Sequence, residues 1–167
     1  VLGPFDYTQL PQTGALWWLE GVTDYYSFNL LHRSGLLSDE DYLIDLAKLS
    51  SMIKGDPANS TVSPYESSFR EPETDGHMGN GEGYGRNYYF TGLTLGLMLD
   101  IEIRAQTQGV RSLDDVMLAL WNECRDGRPG FAEDEIRRQL VAVGGPQLGE
   151  KYDEWVMKPG ELLFARA

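Results

Sequence analysis

The segment NYYFTGLTLGLMLDIEIRAQT, Asn87 to Thr107, constrains the fold most. It has helical character and is apolar on most of its sides, so it belongs at the centre of the domain with other elements around it. It is not a bilayer span, because no apolar run in the chain approaches the roughly 18 residues that a span requires.

Other segments read as further helices. The turn-rich opening GPFDYTQLPQTG leads into a helix from about Gly14 to Ser34 that stops at Gly35. A second helix begins at Ser38, an N-cap with Asp41 three residues on, and keeps Tyr42, Leu46, Leu49 and Ile53 on one face. Gly55 and Pro57 end it. GVRSLDDVMLALWNEC carries a capping box, Ser112 with Asp115, and GFAEDEIRRQLVAVGG closes at Gly144 and Gly145. GEKYDEWV is a short final helix. Thr61 to Phe69 reads as a weak strand, and the terminal GELLFARA as a strand leading out of the domain. Between them, Arg70 to Arg86 is a long loop rich in glycine and acid, of the kind that often carries function. The expected fold is mainly α, one domain over 1–167, with one or two short strands.

A chain of 167 residues with 41% hydrophobic residues can bury a sizeable core. Its net charge of −12 repels phosphate backbones and argues against a nucleic-acid partner. The acids in SDED (Ser38 to Asp41) and AEDE (Ala132 to Glu135) read as solvated helix starts. The single cysteine, Cys124, excludes an intramolecular disulfide and is expected in the core. Low cysteine use suits a reducing compartment and leaves a bacterial periplasm open, so the compartment stays between cytoplasm and periplasm. The start VLGPFDY has neither an initiator Met nor a signal-peptide pattern, and the chain is expected to begin inside a longer protein.

Chemistry is suggested first by ALWWLEGVTDYYSFNLL, Ala15 to Leu31. At about 100° per residue, Glu20, Thr23 and Ser27 share one sector with Asp24 at its edge. Leu16, Leu30 and Leu31 flank that sector, and Trp18, Val22 and Tyr25 lie opposite. The strip is narrow, bordered by apolar residues and without a basic residue until Arg33. Carboxylates so placed need a partner, and a metal ion is one. With one helical turn between them, one carboxylate could bind a metal while the other orients a neighbouring histidine ligand. The plainer reading is an ordinary polar face on a half-exposed helix.

Tyr88 and Tyr89 open the central helix just after the long loop. A phenol there could donate to a developing oxyanion, or the pair could simply anchor the helix. GHMGNGEGYG, Gly76 to Gly85, lacks the Gly-Lys-Ser/Thr ending of a phosphate-binding loop. His77 reads as a solvated loop residue, and His32 as a histidine at a helix C-terminus with no assigned function. Calcium binding by Asp75, Asn80 and Glu82 is a weaker possibility whose spacing does not match an EF-hand.

Taken in order, these segments resemble the glycyl aminopeptidase family of gluzincin zinc metallopeptidases. PFDYTQLPQTGALWWLEGVTDYYSFNLLHRSGL is similar to that family's PFDY…LW-x-x-EGFT-x-YY…L-x-R-x-GL stretch. NYYFTGLTLGLMLDIEIRAQTQGVRSLDDVMLALW is similar to its SYY-x-KG…LLLD-x-x-IR…T-x-G…SLDDVM-x-LW stretch, and GFAEDEI and YDEWV continue the match. The resemblance implies the C-terminal helical part of a thermolysin-like catalytic domain, and in the full-length protein an aminopeptidase that cleaves N-terminal peptide bonds with zinc-activated water. It implies that Glu20 is the downstream glutamate zinc ligand, that Asp24 orients a zinc histidine, and that Tyr89 stabilises the transition state. It also implies a PDZ domain beyond 167.

Three departures qualify it. No HExxH occurs in the chain, so two zinc ligands and the general base are expected upstream, in the N-terminal part of the same catalytic domain. The segment alone is then expected to bind no zinc and to be inactive. Val22 replaces the family's Phe, and Thr91 its Lys, removing a charge near the expected site. The loop from Arg70 to Arg86 is richer in glycine than the family's stretch. The contrasting reading is a helical scaffold or protein-binding module that kept the fold and lost the chemistry.

Overall fold

A computed structural model describes residues 8, 12–70, 87–128 and 130–162. The fold is built on α4, Tyr88–Gln106. Asn87 caps it by accepting a hydrogen bond from Phe90 N at 3.1 Å. Its buried residues run round the helix and include Leu93, Leu95, Met98, Leu99 and Ile103. Such a helix can satisfy its apolar surface only inside a cage. The cage is formed by a π-helical segment, Trp17–Val22, continuing as α1, Thr23–Arg33; by α2, Asp39–Ser51; α3, Pro64–Arg70; α5, Leu113–Cys124; α6, Asp134–Gly144; and α7, Pro146–Trp155. Each of them packs against α4.

The helix boundaries follow local chemistry. Ser38 Oγ accepts from Asp41 N at 3.1 Å to start α2. Ser112 and Asp115 form the expected capping box at α5. Gly145, at φ +92°, stops α6, and Pro146 then opens α7 at a position where the missing N–H is no loss. The last helix therefore starts three residues earlier than the expected GEKYDEWV segment.

Two expectations need correction. Thr61 to Phe69 is not a strand, for Pro64–Arg70 is α3, preceded by a 3₁₀ turn at Pro57–Ser60. Ser63 and Glu66 cap α3 reciprocally: Glu66 N donates to Ser63 Oγ at 3.1 Å, and Ser63 N to Glu66 Oε2 at 2.9 Å. That S-P-Y-E box outweighs the β-propensity of Thr61, Val62 and Tyr65. At the other end, residues 160–162 of GELLFARA form no strand, and 163–167 lie outside the described residues. No strand occurs among the described residues, and none of their helices is long and apolar enough to cross a membrane.

Buried polar groups tie the helices together. Asp100 on α4 accepts from Tyr25 Oη on α1 at 2.9 Å, from Leu113 N at the start of α5 at 2.8 Å, and from Arg104 Nε at 3.1 Å. Glu133 accepts from Thr13 Oγ1 at 2.6 Å, Gly14 N at 2.8 Å and Tyr65 Oη at 3.0 Å. Glu135 is buried and paired with Arg138 and Gln139. The AEDE stretch is thus only partly a solvated helix start: two of its carboxylates are structural. Cys124 also departs from expectation, lying half-buried at the margin of the core, where burial pushes its thiol pKa up.

Candidate active site

Glu20 lies within the π-helical segment Trp17–Val22, a geometry that is rare and often found at functional sites. The segment is pinned from inside. Trp17 and Val22 are fully buried, Trp18 nearly so, and Trp17 N donates to Ser68 Oγ on α3 at 3.2 Å. Trp18, Val22 and Tyr25, opposite the polar strip, are buried. The polar strip faces outward: Glu20 and Asp24 are half-buried, Thr23 and Ser27 exposed.

The hydroxyls of the strip turn back on their own helix. Thr23 Oγ1 donates to Leu19 O at 2.8 Å and Glu20 O at 2.6 Å, and Ser27 Oγ donates to Asp24 O at 2.7 Å. Such back-bonding to the carbonyls three and four residues earlier is ordinary for Ser and Thr on a helix, and it occupies both hydroxyls. The two carboxylates are left as the outward-directed groups of the strip. Among the described residues neither has an ion pair or a side-chain hydrogen bond. Partial burial raises the pKa of Asp24, and the negative charge of Glu20 raises it further. Among the described residues no cation stands against these two like charges.

Tyr88 and Tyr89 are on the neighbouring element. Tyr88 is buried and Tyr89 half-buried, with their rings stacked at 4.7 Å between centroids. Tyr88 thereby fits the anchoring role, while Tyr89 stands at the edge of the core. The π segment and α4 meet backbone to backbone at two glycines. A Cβ on Gly21 would lie 2.5 Å from Gly92 Cα, 2.6 Å from Tyr88 O and 2.7 Å from Tyr89 O. Glu20 and Tyr89 are therefore carried on two segments in direct backbone contact, one residue from the contact on the first and one helical turn from it on the second.

Thr91, where the resemblance has a lysine, is fully buried, and its Oγ1 has no hydrogen-bond partner among the described residues. A lysine at this position would have to bury its ammonium or thread it outward. His32 pairs with Asp39 at 2.7 Å and stacks on Tyr42 at 4.5 Å, a local structural role. His77, Asp75, Asn80, Glu82 and the rest of 71–86 lie outside the described residues.

The donors present fit part of a metal site. A half-exposed, unpaired carboxylate beside a second one suits a divalent cation electrostatically, but no group of three or more His, Cys, Asp or Glu among the described residues could hold one. Sequence reasoning missed Asp100 and the Gly21–Gly92 contact. Each had a signal: an acid inside Leu97-Met98-Leu99-Asp100, and a glycine inside a helix.

Residues 1–95 match the M61 glycyl aminopeptidase family, and the chain belongs to that family. No curated protein matches it. Among solved structures it is similar to an aminopeptidase N family protein from Idiomarina loihiensis, with a TM-score of 0.84 and 26% identity over 96% of this chain. This chain spans 27% of that protein's length.

Proposed function

We propose that this member of the M61 family is the C-terminal helical part of the catalytic domain of a zinc-dependent aminopeptidase. The observation that carries the reading is the half-exposed Glu20–Asp24 couple, without an ion pair among the described residues, with Glu20 on the π-helical segment that packs directly against the helix bearing Tyr89 and Asp24 at the start of α1 that continues it. In this reading Glu20 is one zinc ligand. Asp24 accepts the ring N–H of a ligand histidine from the upstream half of the domain, fixing its tautomer and orientation. The Tyr89 hydroxyl donates to the carbonyl oxygen of the scissile bond as negative charge develops on it. Zinc, when bound, supplies the Lewis acidity that polarises the carbonyl and activates water. The general base and the remaining ligands come from an upstream HExxH, so the isolated segment is inactive. The family description points to substrates with an N-terminal glycine, and a PDZ domain follows in the full-length protein.

Kinetics of the full-length protein on a glycyl anilide test the assignment of Tyr89. Tyr89→Phe should lower kcat by about 10²- to 10³-fold with zinc retained, the usual effect of losing one oxyanion donor. Unchanged turnover refutes the role. An upstream sequence without HExxH refutes the whole reading and leaves a scaffold.

A further inference from the structure

We propose that Gly21 and Gly92 are positioning residues: their backbone contact sets the separation between Glu20 and Tyr89. The inference rests on the reading of those two side chains given above. Both glycines are buried inside helical segments, where glycine is less favourable than alanine and therefore calls for a packing reason. The reason is contact without a spacer. A Cβ on Gly92 would fall 1.9 Å from Trp17 O and 2.8 Å from Gly21 Cα. Trp17 O and Gly21 Cα both belong to the π segment that carries Glu20. From the other side, the place of a Gly21 Cβ is already taken by Gly92 Cα and by the carbonyls of Tyr88 and Tyr89. The two segments thus touch through main-chain atoms, which have no rotamers with which to yield. Glu20 precedes Gly21 directly, and Tyr89 is three residues before Gly92 on α4, so little chain separates either side chain from the contact.

Gly96 provides an internal contrast. It lies one turn farther along α4, and the nearest atoms to a Cβ there would be those of the Tyr25 side chain, at 3.0–3.2 Å. That contact is short by only a few tenths of an ångström. A Gly21 Cβ at 2.5 Å from a backbone carbon forces the segments apart by roughly 1 Å, a displacement that typically costs about 10²-fold when it misplaces a catalytic group.

The test is a double-mutant cycle in the zinc-loaded, full-length protein, with kcat and KM for a glycyl anilide. Gly21→Ala should lower kcat by about 10- to 100-fold with KM within about threefold and zinc stoichiometry unchanged. On a Tyr89→Phe background the same substitution should lower kcat no further than about twofold, because the group it displaces is gone. Gly96→Ala should keep kcat within about twofold even if its unfolding midpoint falls. Additive losses in the cycle, or a kcat for Gly21→Ala no lower than for Gly96→Ala, overturn the proposal. If Gly21→Ala does not fold, Gly92→Ala is read in the same cycle. Failure of both to fold also overturns it, since the contact would then be a folding requirement. If Glu20→Ala retains zinc or Tyr89→Phe retains full kcat, the functional reading itself has failed and the positioning role falls with it. If those two variants behave as stated and only the cycle is additive, the positioning role alone is lost.

Discussion

Replacing Asp100 by alanine should be among the most destabilising single changes in this domain. The carboxylate is buried and serves three donors from three places: Tyr25 Oη, Leu113 N and Arg104 Nε. Removing it leaves the Leu113 N–H without its acceptor in a fully buried position, at about 1–3 kcal/mol. The Tyr25 hydroxyl, also buried, loses this acceptor and keeps the bond it accepts from Asn29 Nδ2 and its hydrogen-bond contact with Tyr42, so the loss adds about 1–3 kcal/mol at most. Arg104 is half exposed and regains water, so its share is about 0–1 kcal/mol. The total is about 2–7 kcal/mol, carried by the two buried donors rather than by the ion pair. Arg104→Ala, by contrast, leaves Asp100 with its two buried donors and should cost about 1 kcal/mol or less. Urea unfolding followed by tryptophan fluorescence measures both. Equal losses for the two variants, or a loss below about 1 kcal/mol for Asp100→Ala, would refute the view that buried donors rather than the ion pair make this carboxylate important.

Three further outcomes follow from the same structure. Ser112→Ala removes the α5 cap and should destabilise by about 0.5–2 kcal/mol in the same urea assay, with Ser112→Gly closer to wild type. Burial alone would raise the Glu133 carboxyl, but the hydrogen bonds from Thr13, Gly14 and Tyr65 outweigh it and hold its pKa below the usual 4.5. Its stabilising contribution is therefore present above that ordinary value and lost as pH falls through the depressed one, so Glu133→Gln should flatten the acid limb of a stability–pH curve. Asp153, held low by its hydrogen bonds from Arg137, behaves with the same sign, and Asp153→Asn should reduce the loss of stability on acidification, read as a smaller drop in thermal midpoint.

How much of this was legible depends on which forces are local. The central place of α4 was, because a helix apolar on all sides has only one stable setting, and Ser38, Ser112 and Gly145 declare helix ends by chemistry within a few residues. α3 was misread because Val62, Tyr65 and Phe69 favour a strand by composition, although the Ser63–Glu66 box was there to be seen. The outward strip at Glu20 and Asp24 was found from a 100° projection, yet the π geometry beneath it was not, since that projection assumes an α-helix. Glu133 and Asp100 eluded sequence reasoning for another reason: their donors on Thr13, Gly14, Tyr65, Tyr25 and Leu113 lie from 13 to 120 residues away, and only tertiary packing brings them together. The family resemblance, carried by ordered motifs, agrees with the match over residues 1–95.

Zinc stoichiometry of the full-length protein and its Glu20→Gln variant, after dialysis against a weak chelator, tests the central claim most directly. The wild type should keep about one zinc per chain, and the variant should lose it while its helical circular dichroism is unchanged. A Glu20→Gln protein that retains its zinc as firmly as the wild type would contradict the assignment of this carboxylate as a ligand.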